Sequence, residues 1–150
     1  MPRITLPDGS PRDYDTPVTG VVIAGDIGER LLKSAIGIMV DGDIKDLSGV
    51  IASDSEVSII TEGRKKEEPS EEALYLIRHS CAHVMAEAIE RVIPGTQLVY
   101  GPPTDQGFYY DIHFSDDRII STDDFSSIED HMKQIIAEDR PFQRYELAAD

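Results

Sequence analysis

Short runs rich in apolar residues recur in the first sixty residues and several of them end at turns, a pattern typical of β-strands. Asp8-Gly9 and Asp41-Gly42 are typical of hairpin turns, so each predicts a strand before it and a returning strand after it. A further strand is predicted by the apolar run around Ile59. The predicted strands are residues 4–6, 11–14, 36–40, 43–45 and 57–61.

A helical segment is predicted between the two hairpins. Thr16-Pro17 suits a helix start, with Thr16 as the cap and Pro17 in the first helical position. Glycines interrupt the apolar stripe that follows, which predicts two short helices with a break at residues 26–28. Two hairpins, a helical crossing and a final strand fit a β-grasp domain over residues 1–62.

The second half begins with a polar tract and a long helix. Residues 63–70 contain no large apolar side chain and predict a linker, whose last residue, Ser70, can cap the helix that follows. Residues 71–93 have helical periodicity, and Pro94-Gly95 ends it. The predicted buried stripe is Leu74, Ile77, Cys81, Val84, Ala88 and Val92.

The rest of the chain mixes strands and one more helix. Strands are predicted at residues 97–100, 108–114 and 142–147, with a loop at 101–107. A second helix is predicted to open at Ser121 and to end before Pro141. Its predicted inward residues are Phe125, Ile128, Met132, Ile135 and Ile136. The overall class is therefore α+β, with residues 71–150 expected to be a truncated second domain.

The charge distribution limits what this segment binds alone. Residues 1–66 carry 11 acidic against 8 basic residues, and residues 67–150 carry 18 against 6, a net charge of −12. Tight nucleic-acid binding depends mainly on cations that face phosphates, so other surfaces would have to supply most of the attraction to RNA. One cysteine excludes an internal disulfide, and no apolar run is long enough to cross a membrane, so a cytoplasmic protein is expected.

The candidate chemistry lies on the long helix, where His79 and His83 are four residues apart and share one face. The stripe turns away from both imidazoles, so we expect them to face solvent or a groove. Ser80 replaces the glutamate of the metalloprotease motif, which excludes that activity. Cys81 points away from the histidine face and is a better candidate for packing than for a nucleophile or ligand, so no metal site is predicted.

Four short strings change this interpretation, because their order and spacing together are specific. They are Ile4-Thr5-Leu6-Pro7-Asp8-Gly9-Ser10, then Ser58-Ile59-Ile60-Thr61, then Ile77-Arg78-His79-Ser80-Cys81-Ala82-His83, and finally Gly101-Pro102 with Gly107-Phe108-Tyr109-Tyr110-Asp111. In these strings the chain resembles the N-terminal part of bacterial threonyl-tRNA synthetases, over essentially all 150 residues.

The resemblance implies a TGS domain of β-grasp fold, followed by the first part of the editing domain that hydrolyses serine wrongly attached to tRNA(Thr). It implies that His79 and His83 are the catalytic pair of editing and that Tyr110 lines the editing pocket. The family completes this pocket with a Cys-x-x-x-His motif that is expected to lie beyond residue 150, so Cys81 is not that cysteine.

The resemblance also implies cofactors and partners. No cofactor is expected in this segment, whereas ATP and zinc belong to the aminoacylation core of the full-length enzyme. The expected partners are the acceptor end of tRNA(Thr) and, in a homodimer, a second subunit. We therefore expect no aminoacylation and little or no editing from these residues alone.

Two alternatives remain open. The first is a non-catalytic TGS-type binding or regulatory module, in which the histidines affect no hydrolysis. The second is a small metal-dependent hydrolase that uses the histidine pair, and it predicts stoichiometric zinc in the purified protein.

Overall fold

The computed structural model describes residues 1–63, 68–115 and 118–141. The chain divides into two compact units, Met1–Ile77 and Arg78–Asp150. The first unit contains β1 (Arg3–Thr5), β2 (Pro11–Asp13), β3 (Val18–Thr19), α1 (Gly20–Ile27), α2 (Glu29–Ser34), β4 (Ala35–Val40), β5 (Asp43–Lys45), β6 (Val50–Ile51), β7 (Ser55–Thr61) and the start of α3 (Glu71–Val92). The second contains the rest of α3, β8 (Gln97–Tyr100), β9 (Pro103–Thr104), β10 (Gly107–Phe108), β11 (Asp111–His113) and α4 (Thr122–Glu138). None of the helices in the described ranges is both long and apolar enough to span a membrane.

Five strands of the first unit form one mixed sheet in the order β2-β1-β7-β4-β5. β1 and β7 run parallel, and the other neighbouring pairs run antiparallel. Parallel strands need a crossover connection, and the helical segment of α1 and α2 lies within it. The sheet thus has two hairpins around a central parallel pair, and a helix packs across it. This arrangement is a β-grasp fold, so the predicted fold is confirmed.

The core of this unit lies between the sheet and α1. In β7 the residues alternate, with Ser55 and Val57 buried and Glu56 exposed, because successive side chains point to opposite faces. Ile23 of α1 and Ile38 of β4 are each 0% exposed. The core cluster is Ile4, Leu6, Val18, Ile23, Ile38, Val40, Ile51 and Val57.

The predicted helix start at Thr16-Pro17 is wrong by a few residues. The chain stays extended after Pro17 because β3 pairs antiparallel with β6, a two-residue strand without a clear pattern in the sequence. Helix α1 then begins with Thr19 as its N-cap, and the Thr19 hydroxyl accepts a hydrogen bond from the backbone N–H of Val22. The predicted break between two short helices is confirmed.

The second unit has its own core, in which α3 and α4 pack together. Helix α4 begins as predicted, because Ser121 and Asp124 form a capping box that satisfies backbone N–H groups of the first turn. Phe125 and Ile136, predicted to face inward, are 52% and 64% exposed, so the buried face of α4 is narrower than its apolar pattern. The core cluster is Ala88, Ile89, Ile93, Ile128 and Ile135.

The single strand predicted at residues 108–114 is interrupted. β10 pairs with β9 and β11 pairs with β8, and Tyr109-Tyr110 separates the two pairs. Pro102-Pro103 on the opposite side lacks backbone N–H groups, so the hydrogen-bond ladder cannot be continuous there. The predicted loop at 101–107 therefore contains the end of a hairpin. The strand predicted at residues 142–147 lies outside the described residues.

We expect Ile38→Ala to lower the free energy of unfolding by about 2–5 kcal/mol, because it removes a fully buried side chain and leaves a cavity. Urea denaturation of the whole chain measures this change. Val50→Ala is the matched control, since Val50 is 69% exposed and should lose about 0.5 kcal/mol or less. Equal losses in the two variants would contradict the assigned core.

Candidate functional site

Helix α3 holds two imidazoles in fixed register. The ring centroids of His79 and His83 lie 4.8 Å apart, with the ring planes tilted by 30°. Four residues make slightly more than one helical turn, so both rings project from one face, as their spacing predicts. His79 is half-buried and His83 is the more exposed of the two. Two nitrogen-bearing rings at this separation are close enough to act on one small molecule or on one water.

The buried face of α3 is wider than the predicted stripe. Ala82 and Ala86 are 0% and 2% exposed, whereas Ile77, which belongs to the predicted stripe, is 45% exposed. At about 100° per residue, the two alanines lie beside the histidines on the helix surface. The exposed side chain of His83 agrees with the expectation that the pair faces solvent or a groove. The imidazoles nevertheless lie closer to the packed side than the predicted stripe indicates. They lie at the edge of the buried face, where a ring is partly enclosed while one side stays accessible.

The environment of His83 favours the neutral imidazole. Partial burial lowers the pKa of His83 from its usual value, because burial penalises the charged form, and the nearby His79 lowers it further by charge repulsion. The neutral ring carries a lone pair on one nitrogen and can accept a proton. His83 therefore has the properties of a general base near neutral pH.

His83 also lines a cavity of about 320 Å³ next to the end of α4. Its wall includes the ion pair of Glu87 and Arg140, whose Oε1 and Nη2 atoms are 2.5 Å apart. Arg91 donates to Glu87 as well, and to Glu138 of α4. These ion pairs join α3 to the end of α4 beside the cavity. The remaining wall is Val84, Ile135, Ile136, Asp139 and Pro141.

Tyr110, the third residue expected in the site, lies in the hairpin rather than on the helix. It is half-buried in the gap between β10 and β11. Its ring rests on the backbone of Gly101, so closely that a Cβ at Gly101 would overlap the ring. Tyr110 and His79 are not part of the wall of the His83 cavity.

One hydrogen bond connects this hairpin to the part of α3 that carries the two histidines. Arg78, which directly precedes His79, donates from Nη1 to the carbonyl oxygen of Thr104 at 3.1 Å. Thr104 belongs to β9, on the strand that faces Tyr109-Tyr110 across the hairpin. The structure therefore brings the two histidines together directly, and it connects Tyr110 to them through the hairpin.

Sequence reasoning assigned no role to Arg78, Gly101, Glu87 or Arg140. The position of Arg78, adjacent to the first histidine, was a usable signal, because its side chain leaves the helix close to the pair. Gly101 had a weaker signal, since a glycine before proline is typical of many turns. The pairing of Glu87 with Arg140 joins residues 53 positions apart, and no local pattern predicts it.

Few side chains that could bind a metal lie near the histidine pair. Cys81 is half-buried and lies between the histidines in sequence. Within residues 1–63, 68–115 and 118–141, no three side chains of His, Cys, Asp or Glu are grouped closely enough to hold a metal ion. In the part of the chain that the structure describes, the histidine pair therefore has no third metal ligand near it.

Comparison with known proteins relates both units to one family. Residues 2–61 match the family model of the TGS domain. The threonine–tRNA ligase of Granulibacter bethesdensis is 49% identical over 144 residues, which is 96% of this chain and 21% of that protein. The ligase of Acidiphilium cryptum is 46% identical over the same coverage, and that of Paramagnetospirillum magneticum is 43% identical over 150 residues, or 100% of this chain and 22% of that protein.

The chain is related to the N-terminal region of threonine–tRNA ligases. Its β-grasp unit is a TGS domain. The matches extend well beyond residue 61, so the α3 histidines and the hairpin lie within the shared region. The chain spans about a fifth of the length of these curated relatives.

We expect His83 to titrate below the usual value of 6.5, because burial and His79 both disfavour its charged form. A proton NMR titration of the ring of His83 in the whole chain measures this. His79→Ala should raise the pKa of His83, since it removes one of the two causes. Ser80→Ala, on the exposed side of the helix, is the control and should leave the titration unchanged. A pKa of His83 at or above 6.5 in the parent chain would contradict the assignment.

Proposed function

We propose that this chain serves the accuracy of threonine attachment to tRNA, as the N-terminal part of a threonine–tRNA ligase whose second domain hydrolyses seryl-tRNA(Thr). The observation that carries the proposal is the pair of imidazoles 4.8 Å apart on one face of α3, in a chain related to such ligases. We assign His79 and His83 to the reaction and Tyr110 to the binding of the aminoacyl group.

Serine is the substrate for which a second site is needed. It differs from threonine by one methyl group, and a difference of that size allows only about 10–200-fold discrimination in a single binding step. A hydrolytic site that removes serine after attachment supplies the missing accuracy. The relatives are named as threonine–tRNA ligases, which supports this choice of substrate.

The reaction is the hydrolysis of an ester. A water oxygen attacks the carbonyl carbon of the seryl group, the bond from that carbon to the ribose oxygen breaks, and serine and tRNA with a free hydroxyl are released. The attacking water must lose a proton, and the ribose oxygen must gain one. The lowered pKa of His83 suits it to take the proton from water and then to return it to the ribose oxygen.

His79 and Tyr110 have different tasks in this scheme. The ring of His79, next to that of His83, can hold the attacking water by a hydrogen bond, and its charge disfavours protonation of His83 before the reaction. Tyr110 presents a phenol from a hairpin that Arg78 ties to the histidine segment. We assign this phenol to the binding of the aminoacyl group.

The acidic second half fits a site that handles only the end of the tRNA. Residues 67–150 carry a net charge of −12, with 18 acidic against 6 basic residues. A surface of this charge repels the phosphates of a tRNA body. We therefore assign most of the tRNA-binding energy to other regions of a longer ligase.

The competing function is a non-catalytic binding role for the TGS domain. It is favoured by a cavity of about 520 Å³ on the sheet, whose wall includes Met39, Glu56 and Ser58. In that case the histidine pair has no part in hydrolysis, so variants of the pair distinguish the two functions.

In a threonine–tRNA ligase that carries this sequence as its N-terminal region, we expect His83→Ala to slow the hydrolysis of seryl-tRNA(Thr) by about 10²-fold or more. His79→Ala should slow it as well. The measurement is the release of labelled serine from preformed seryl-tRNA(Thr). Threonine activation should be unchanged, because the substitutions lie outside the activating site.

His131→Gln is the matched control, since His131 lies on α4 and its ring is bonded to the Ser127 carbonyl one turn earlier. It should leave seryl-tRNA(Thr) hydrolysis at the parent rate. Parent rates in both His79→Ala and His83→Ala would refute editing by this pair and would favour the binding role.

A further inference from the structure

Gly101 and Tyr110 face each other across the hairpin. Tyr100 pairs with Asp111, and Pro103 pairs with Phe108, in the same antiparallel register. This register continues through the gap between the two strand pairs and places Gly101 opposite Tyr110. Side chains of directly opposed residues lie on the same face of a hairpin, so the ring of Tyr110 projects over the position where Gly101 has no side chain.

The contact is too close for any other residue. A Cβ at Gly101 would lie 2.7 Å from Cγ of Tyr110 and would overlap two further ring atoms, Cδ2 and Cε2. The ring therefore lies flat against the backbone of Gly101. A glycine in a strand often marks a position where another group approaches the backbone this closely.

Backbone conformation does not explain this glycine. The glycines with positive φ are Gly9, Gly42, Gly63 and Gly95, and Gly101 is not among them. An alanine at position 101 could adopt the backbone angles without strain. The space occupied by the Tyr110 ring is what excludes a side chain at this position.

A second tight glycine provides a comparison. A Cβ at Gly37 of β4 would overlap Cδ1 of Leu76, which is the end of a flexible side chain and can rotate away. At Gly101 the overlap reaches Cγ, so the whole ring of Tyr110 would have to change its χ1 rotamer or the hairpin would have to open. Alanine is therefore tolerable at Gly37, whereas at Gly101 it displaces the ring of Tyr110.

We propose that Gly101 is a positioning residue that sets the orientation of Tyr110 in the editing pocket. The absence of a Cβ lets the ring lie on the backbone of the opposite strand, and this fixes the direction of the phenol. The consequence for hydrolysis rests on the proposed function, whereas the placement of the ring does not.

The placement is tested in the whole chain by NMR. Hα protons under an aromatic face are shifted upfield, so the Hα signals of Gly101 should lie upfield in the parent and move downfield in Tyr110→Ala. Gly101→Ala should lower the melting temperature of the parent. The same change in a Tyr110→Ala background should lower it much less, because the space is then free. Unshifted Gly101 signals, or equal losses in both backgrounds, would overturn the proposal.

The consequence is tested by seryl-tRNA(Thr) hydrolysis in a ligase that carries this sequence. Gly101→Ala should slow hydrolysis as much as Tyr110→Ala does, the double variant should be no slower than either, and Gly37→Ala should match the parent. Additive losses in the double variant would overturn the positioning role. If the NMR result holds while Tyr110→Ala hydrolyses at the parent rate, the placement stands and the proposed role of Tyr110 in editing is the part that fails.

Discussion

Register along α3 is the constraint on which the candidate site depends. Two imidazoles can cooperate only when their rings meet, and in a helix a four-residue spacing makes them meet at 4.8 Å. The helix also places the pair at the edge of its buried face, which Ala82 and Ala86 form on that side. That position lets His83 be partly desolvated, and His79 adds its charge, so that the neutral form of His83 is favoured. Helix register and partial burial thus give His83 the properties of a base, which is the role that we propose for it in hydrolysis.

The hairpin from β8 to β11 supplies the aromatic side chain of the candidate site, Tyr110. It carries an aromatic ring whose orientation depends on a missing Cβ in the opposite strand, and it is attached to α3 by the bond from Arg78 to Thr104. Short strands interrupted by proline have few backbone hydrogen bonds of their own. Side-chain contacts to the helix and across the hairpin therefore matter more here than in the five-stranded sheet of the TGS domain.

Local signals were sufficient for much of the fold. The Asp-Gly turns, the Ser121 cap and the apolar run around Ile59 predict their elements because short-range geometry decides them. Thr16 was the wrong helix cap because pairing between β3 and β6 depends on residues more than thirty positions apart. The buried face of α3 was misjudged because alanines carry little weight in an apolar pattern, yet they are the residues that allow close packing. In the candidate site, the spacing of the histidines was visible in the sequence, whereas the partner of Gly101 required the hairpin register.

The most direct test of the account is the pH dependence of seryl-tRNA(Thr) hydrolysis in a ligase that carries this sequence. A base that must be neutral gives a rate that falls as the pH drops through its pKa. We expect this acid limb to coincide with the pKa of His83 measured by NMR, below 6.5. We also expect the limb to move to higher pH when His79 is replaced. A rate that stays constant through the titration of His83 would contradict the account.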